Sequence, residues 1–382
     1  LEDICFLFIF VANSNLRPMA NTLNIRKAWI LVIIFFFTAS VRVSAQIRIF
    51  DQVDNQPIAK ATVIDGAGRV VGMTDRYGIL PEKVQKTKGF SVRHIAYETL
   101  DVHSLASCDT VLLMKPVTLG LEEINVNSSK LEYLYIREYF RIYQLKDTVL
   151  EYYQTGYLDS FVKLKNKRVK EHVVGRKTLY DKDIKLTEDG LLPLEAICFT
   201  LIEPCVEGKT MAYKIRKKRL EEKGDSLVSK KKNGNEAAFI HVNRDAGITI
   251  AGRDYLAFKG DHQLNIWGLK LAGFRQFNIT TLEESEVYDS VEEEPTVKDL
   301  QSSFCKMEVF FTSKKIKEGV KVCCIGESYV VDRKLLSRER MEELWEKPLP
   351  ADTVRTNAVV PSMSEKHQAK INQMKRYRYK KK

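Results

Sequence analysis

The sequence predicts a mainly β protein with two folded units, an antiparallel sandwich over residues 46–126 and a mainly antiparallel β region with a few helices over 127–350. Three observations carry this reading. Apolar residues alternate with polar ones in short runs between Gln46 and Met114, and turn residues separate the runs. Aromatic and β-branched residues dominate later runs at 149–180 and 238–332. A chain of 382 residues with 44% hydrophobic content is long enough and apolar enough for two ordinary cores.

The first 45 residues read as a targeting segment. A start at Met19, the first methionine, would leave residues 1–18 upstream. Arg26 and Lys27 then precede the apolar stretch Trp29–Phe37, and small residues follow at Ala39, Ser40, Ser44 and Ala45, which predicts cleavage after Ala45. The alternative is an uncleaved anchor, but the apolar core 28–41 is short for a span of roughly 20 residues. The net charge of +11 is unevenly placed: +7 falls in residues 362–382 and +2 ahead of Gln46, leaving +2 for the body. This distribution argues against a nucleic-acid partner.

Within the first unit, Ile47, Ile49 and Val53 alternate with polar residues, and Asn55-Gln56-Pro57-Ile58 turns the chain into Ala61–Ile64. Gly66-Ala67-Gly68 reverses it into Val70, Val71 and Met73. Further strands are expected at Phe90–Ala96, Thr99–Val102 and Thr110–Met114. Between them, Thr74-Asp75-Arg76-Tyr77-Gly78-Ile79 forms a tight turn. There Asp75 accepts from backbone amides two or three residues on and Gly78 supplies positive φ, so both are read as structural.

The order Gln56-Pro57-Ile58, Ala61, Val63, then Thr74-Asp75, Gly78, Ile95-Ala96-Tyr97-Glu98 and Leu121-Glu122-Glu123-Ile124-Asn125-Val126 resembles the carboxypeptidase-regulatory-like domain. The resemblance implies a transthyretin-like, seven-stranded sandwich, a place in the Gram-negative cell envelope, and a folding or docking role without catalytic groups. Asp51 and Ile79 stand where that family usually has a glycine and an aromatic, and Arg93-His94-Ile95-Ala96 replaces its usual serine and glycine pair. Related modules precede outer-membrane receptors. The 256 residues after Val126 are too few for a plug and a barrel of some 22 strands at about 10 residues each.

The second unit is expected to begin with a helix over 129–145, on the spacing of Leu131, Leu134, Tyr135, Glu138 and Ile142. Tyr139–Tyr143 could alternatively extend into a strand. Strands follow at 149–158, 160–164 and 170–180, with a basic turn over 163–170, then a short helix or buried segment at 191–201 and a helix at 211–223. Residues 224–236 read as a loop or hairpin tip. Strands are expected at 238–242, 247–251, 264–271, 276–282, 306–312, 320–325 and 327–332. The acidic run 283–294 reads as a solvated loop, since it lacks the glycine and regular oxygens of a calcium loop. Ser337 caps a last helix through Trp345, and the basic segment 351–382 is expected to be disordered.

Chemistry-bearing motifs are absent from the sequence. It holds no phosphate-cradling glycine loop, no His-Glu-x-x-His, no serine nucleophile elbow and no His-x-x-Glu pair, so no catalytic residue, cofactor or metal is assigned. His94, His103, His172, His241 and His262 stand apart and read as structural. Cys198 and Cys205 could pair, although sparse cysteines in a large core are more often buried thiols. The reading is a non-enzymatic exported protein, periplasmic or associated with the outer membrane, whose second unit binds an envelope protein, lipid or glycan. The alternative is an enzyme of unrecognised type with its site there. Lys375, Arg376, Arg378, Lys380, Lys381 and Lys382 are the candidate contacts to an anionic membrane surface.

Overall fold

Six short strands come first: β1 (Arg48–Asp51), β2 (Thr62–Asp65), β3 (Val70–Met73), β4 (Phe90–His94), β5 (Tyr97–Val102) and β6 (Val111–Met114). β3, β2, β4 and β5 lie side by side in one sheet, and β1 pairs with β6 in a second. The computed structural model describes residues 46–104, 110–117, 131–147, 149–188, 190–193, 196–223, 226–230, 236–260, 263–265, 273–314, 316–351 and 360–378. The expected signal peptide with its cleavage after Ala45, the stretch 121–126, and Lys380, Lys381 and Lys382 lie outside them. Among the described residues the sandwich has six strands, and the β1–β6 pair is parallel where antiparallel pairing was expected.

A second, 12-stranded sheet follows. Its strands are β7 (Tyr133–Lys146), β8 (Val149–Lys163), β9 (Val169–Tyr180), β10 (Glu221–Lys223), β11 (Ser226–Lys230), β12 (Glu236–Asn243), β13 (Ile248–Asp254), β14 (Leu264–Asn265), β15 (Phe274–Tyr288), β16 (Leu300–Ser313), β17 (Val320–Leu336) and β18 (Lys375–Arg376). The order across it is β10-β11-β12-β13-β15-β16-β17-β7-β8-β9-β18, with β14 beside β15. Five short α-helices, α1 (Ile197–Thr200), α2 (Met211–Arg216), α3 (Tyr255–Lys259), α4 (Arg338–Glu346) and α5 (Glu365–Gln373), and two 3-10 turns at Glu82–Lys86 and Val297–Asp299 accompany the strands among the described residues. None is long and apolar enough to cross a membrane. Residues 46–382 form one compact unit.

Both faces of the large sheet are covered, and successive side chains of one strand enter different cores. On one face Ile142, Val322 and Cys324 pack under Cys198, Met211 and Ile215 of α1 and α2. On the other, Tyr143, Ile325 and Tyr329 join the sandwich's own core residues Ile49, Val63 and Val92, with Ile371 of α5. Further along the same face, Tyr133, Tyr135 and Phe161 lie under Met341 and Leu344 of α4, whose N-cap Ser337 accepts from the Arg340 amide. The sandwich and the sheet therefore share a core.

Several sequence expectations are corrected. The segment read as a helix over 129–145 is strand β7 from Tyr133 onward, hydrogen-bonded to β8 and β17 on its two sides. Its apolar run is continuous because both faces are buried. The helix expected over 211–223 stops at Arg216, and Glu221–Lys223 is an edge strand; β11 occupies part of the expected loop 224–236. Glu283, Glu284 and Glu286 lie inside β15, not in a solvated loop. The segment 351–382, expected to be disordered, holds α5 and β18, because Met363, Ile371 and Tyr377 find buried places. Cys198, Cys205, Cys305, Cys323 and Cys324 are free thiols.

Candidate functional site

The sandwich is fastened to the sheet through buried charge. Arg93 on β4 donates to Glu327 Oε2 on β17 at 3.1 Å, and Arg141 on β7 donates through Nε to the same oxygen. Tyr143 and Tyr329 donate their hydroxyls to Glu327 at 3.2 Å each, and Arg93 reaches the Tyr143 hydroxyl at 3.1 Å. Burial alone would raise the Glu327 carboxyl, but Arg141 and Arg93 outweigh it and hold it down at about 2. Nearby, Asp51 of β1 accepts from Tyr97 at 2.8 Å and from Asn243, at the end of β12, at 3.0 Å.

Beside this junction the two units leave a cleft of about 670 Å³, within the size range of ligand pockets. One wall is the loop 56–60 and the turn 74–77; the other is β10–β13. Ile58, Val228, Phe239 and Ile250 give it an apolar floor. The Phe239 ring packs against its cross-strand partner Gly252, where a Cβ would stand 2.5 Å from Cε1 and push the ring aside. At the rim, Lys60 pairs with Glu283 at 2.5 Å, and Arg76 and Lys223 both rest on Glu236 at 2.6 and 3.4 Å. Two of these three pairs join sandwich to sheet. Partly exposed pairs contribute about 0–1 kcal/mol each, so they bound the mouth without locking it.

Asp75 lies at one corner of this cleft's sandwich wall, and Gly78 closes the turn behind it. Asp75 Oδ1 accepts from the amides of Tyr77 at 2.9 Å and Ile79 at 2.8 Å. Gly78 has φ of 71°, and a Cβ there would meet the Ile49 carbonyl oxygen at 2.2 Å. The turn holds the Tyr77 ring out, 46% exposed, with the Arg76 guanidinium 4.4 Å from its centroid and the Lys223 ammonium at 5.3 Å. Exposed aromatics flanked by charge are adaptable ligand contacts. The basic residues Lys375, Arg376 and Arg378 lie elsewhere, at the β9 edge.

Of the isolated histidines, His94 and His241 line the cleft. Burial lowers His94 to about 4, and its Nδ1 accepts from the Ala96 amide at 3.2 Å. His241 Nδ1 faces Ser226 Oγ at 3.0 Å, because these residues are direct cross-strand partners. His172 lies far along β9, 3.5 Å from Asp159. Sequence reasoning missed Arg93, Glu327 and Arg141, since a triad joining residues so far apart leaves no local signal.

On the opposite face, Glu138 of β7 accepts from Ser328 at 2.6 Å, and its second oxygen is buried without a hydrogen-bond partner. Burial pushes this carboxyl up to about 7; the Ser328 hydroxyl acts against that shift, and Glu286 and Glu171 add to it. A carboxyl raised above its unfolded value of 4.5 favours the fold most below that pH, and the contribution is lost as pH rises through about 7. Glu138→Gln should therefore gain on the wild type by up to about 1.4 kcal/mol per pH unit across this window. Urea unfolding at a series of pH values reads the effect, and a difference constant with pH would show that Glu138 titrates normally.

Compared with family models and with curated proteins, the chain matches none.

Proposed function

We propose that the chain is a non-enzymatic exported protein of the Gram-negative cell envelope, periplasmic or associated with the outer membrane. Its carboxypeptidase-regulatory-like sandwich, of transthyretin-like seven-stranded type over residues 46–126, acts as the adaptor. Its second β region binds a ligand or partner, for which an envelope protein, lipid or glycan is the expected class. One observation supports this reading above the others: a cleft of about 670 Å³ with an apolar floor and a polar rim lies where the two units meet. A ligand there would touch both, so binding would be communicated to the adaptor directly.

The test is to purify the mature protein from its native envelope and identify bound molecules by mass spectrometry. Ala59→Trp, in the half-buried loop of the cleft wall, fills the space without breaking a strand. The wild type should carry a molecule that the variant loses by at least tenfold. A wild type without any, or a variant that keeps full occupancy, contradicts the reading.

The Ser226–His241 pair favours one second reading, an enzyme with its site in the second unit. Histidine-activated serine would react with a fluorophosphonate probe, and Ser226→Ala would abolish that labelling.

A further inference from the structure

The last described residues run antiparallel beside β9, with Lys375 opposite Tyr180, Arg376 opposite Leu179, and the Tyr377 amide donating to the Thr178 carbonyl at 2.9 Å. This register sorts the side chains. Tyr377 turns inward and packs edge-on against Tyr180, ring centroids 6.4 Å apart, in the core under α1 and α2. Arg376 and Arg378 project on the other side, the side of Lys177 on the neighbouring strand, and all three are exposed. Lys375 is also exposed and donates to the carbonyl of Lys182, whose own side chain is exposed beside it. Asp181, the carboxylate closest to Lys182 along the chain on its N-terminal side, is already paired with Lys370 at 2.5 Å. Asp183 is exposed on the other side.

We infer that the strand-ordered row Lys177, Arg376 and Arg378 is a contact face for an anionic lipid surface. Three exposed cations on one side of paired strands give a cationic face that can meet several headgroups at once, and Lys182 and Lys375 add charge at the same edge. A solvated tail would lose conformational entropy on binding, whereas β18 is already paired to β9. Single-stranded nucleic acid fits less well, because stacking needs an exposed ring and Tyr377 is buried. The inference is independent of the cleft and of whatever occupies it.

Cosedimentation of the full chain with vesicles of phosphatidylglycerol and phosphatidylcholine tests it. The protein should bind the anionic vesicles, ignore pure phosphatidylcholine, and be released as salt rises. Each charge removed should weaken binding about fivefold, and K177E/R376E/R378E together at least a hundredfold. If the triple reversal disturbs folding by circular dichroism, the single Gln substitutions at the same positions give the comparison. No binding to anionic vesicles overturns the inference, as does binding that the substitutions leave intact. Binding to heparin or polyphosphate but not to vesicles also overturns it, in favour of a soluble polyanion.

Discussion

Glu327→Ala is expected to lower the free energy of unfolding by about 3–5 kcal/mol, because it leaves two buried guanidinium groups without their carboxylate. Arg93 and Arg141 are both buried, so water cannot replace the lost partner. Glu327→Gln keeps an acceptor but not the charge and should fall between the two. Lys115→Ala breaks the exposed Lys115–Glu98 pair and should change stability by less than about 1 kcal/mol. The same triad sets an acid limit. Glu327 is held below its ordinary value, so its contribution is complete above about 4.5 and is lost as pH falls towards about 2. Denaturant titration followed by circular dichroism measures all three variants. A loss below about 1 kcal/mol in Glu327→Ala would mean that the site is hydrated and the sandwich loosely held.

Deleting residues 352–382 should destabilise the fold by an amount of order 5 kcal/mol, since three apolar side chains leave the interior at roughly 1.5–3 kcal/mol each. Met363 and Ile371 pack into the core shared by sandwich and sheet, and Tyr377 into the core of the opposite face. The polar contacts of α5 reach both units: His367 Nε2 donates to the Gly68 carbonyl at 2.7 Å, and Lys370 pairs with Asp181 at 2.5 Å. The carbonyl can only accept, so Nε2 carries the proton. Ile371→Ala in the full chain isolates one part of this and should remove about 2–4 kcal/mol. Thermal and denaturant unfolding of both variants check the prediction. A solvated basic tail would instead be removed with almost no effect.

That tail shows how a real signal can be masked. His367 and Ile371 are spaced four apart on one face of α5, and Met363 stands just before its N-cap, but the charge count of the segment dominates its composition. The short sandwich strands were legible because each has one buried face and turn residues at its ends. β7 was not, because a strand buried on both faces loses its alternation, and Leu131, Leu134, Tyr135, Glu138 and Ile142 then fit a helical spacing by chance. The acids of β15 read as a loop because their partners lie far away in sequence: Lys60 for Glu283, Arg253 for Glu284. Asp75 and Gly78 could be placed in a turn from local rules, but nothing local shows that this turn faces β10–β13 across a cleft. Two polar positions of the sandwich strands carry buried contacts to the second unit. Asp51 and Arg93 reach Asn243 and Glu327, contacts that no local pattern announces.

Sandwich and sheet are expected to form one cooperative body, with the cleft at their junction. Native-state hydrogen exchange read by mass spectrometry tests it most directly. If the claim holds, the amides of β2 and β4 and those of β7 and β17 open with a single free energy, and Glu327→Ala lowers both together or splits the sandwich away. If β2 and β4 of the wild type exchange through a separate, lower-energy opening while β7 and β17 stay closed, the sandwich is an independently hinged module and the claim is wrong.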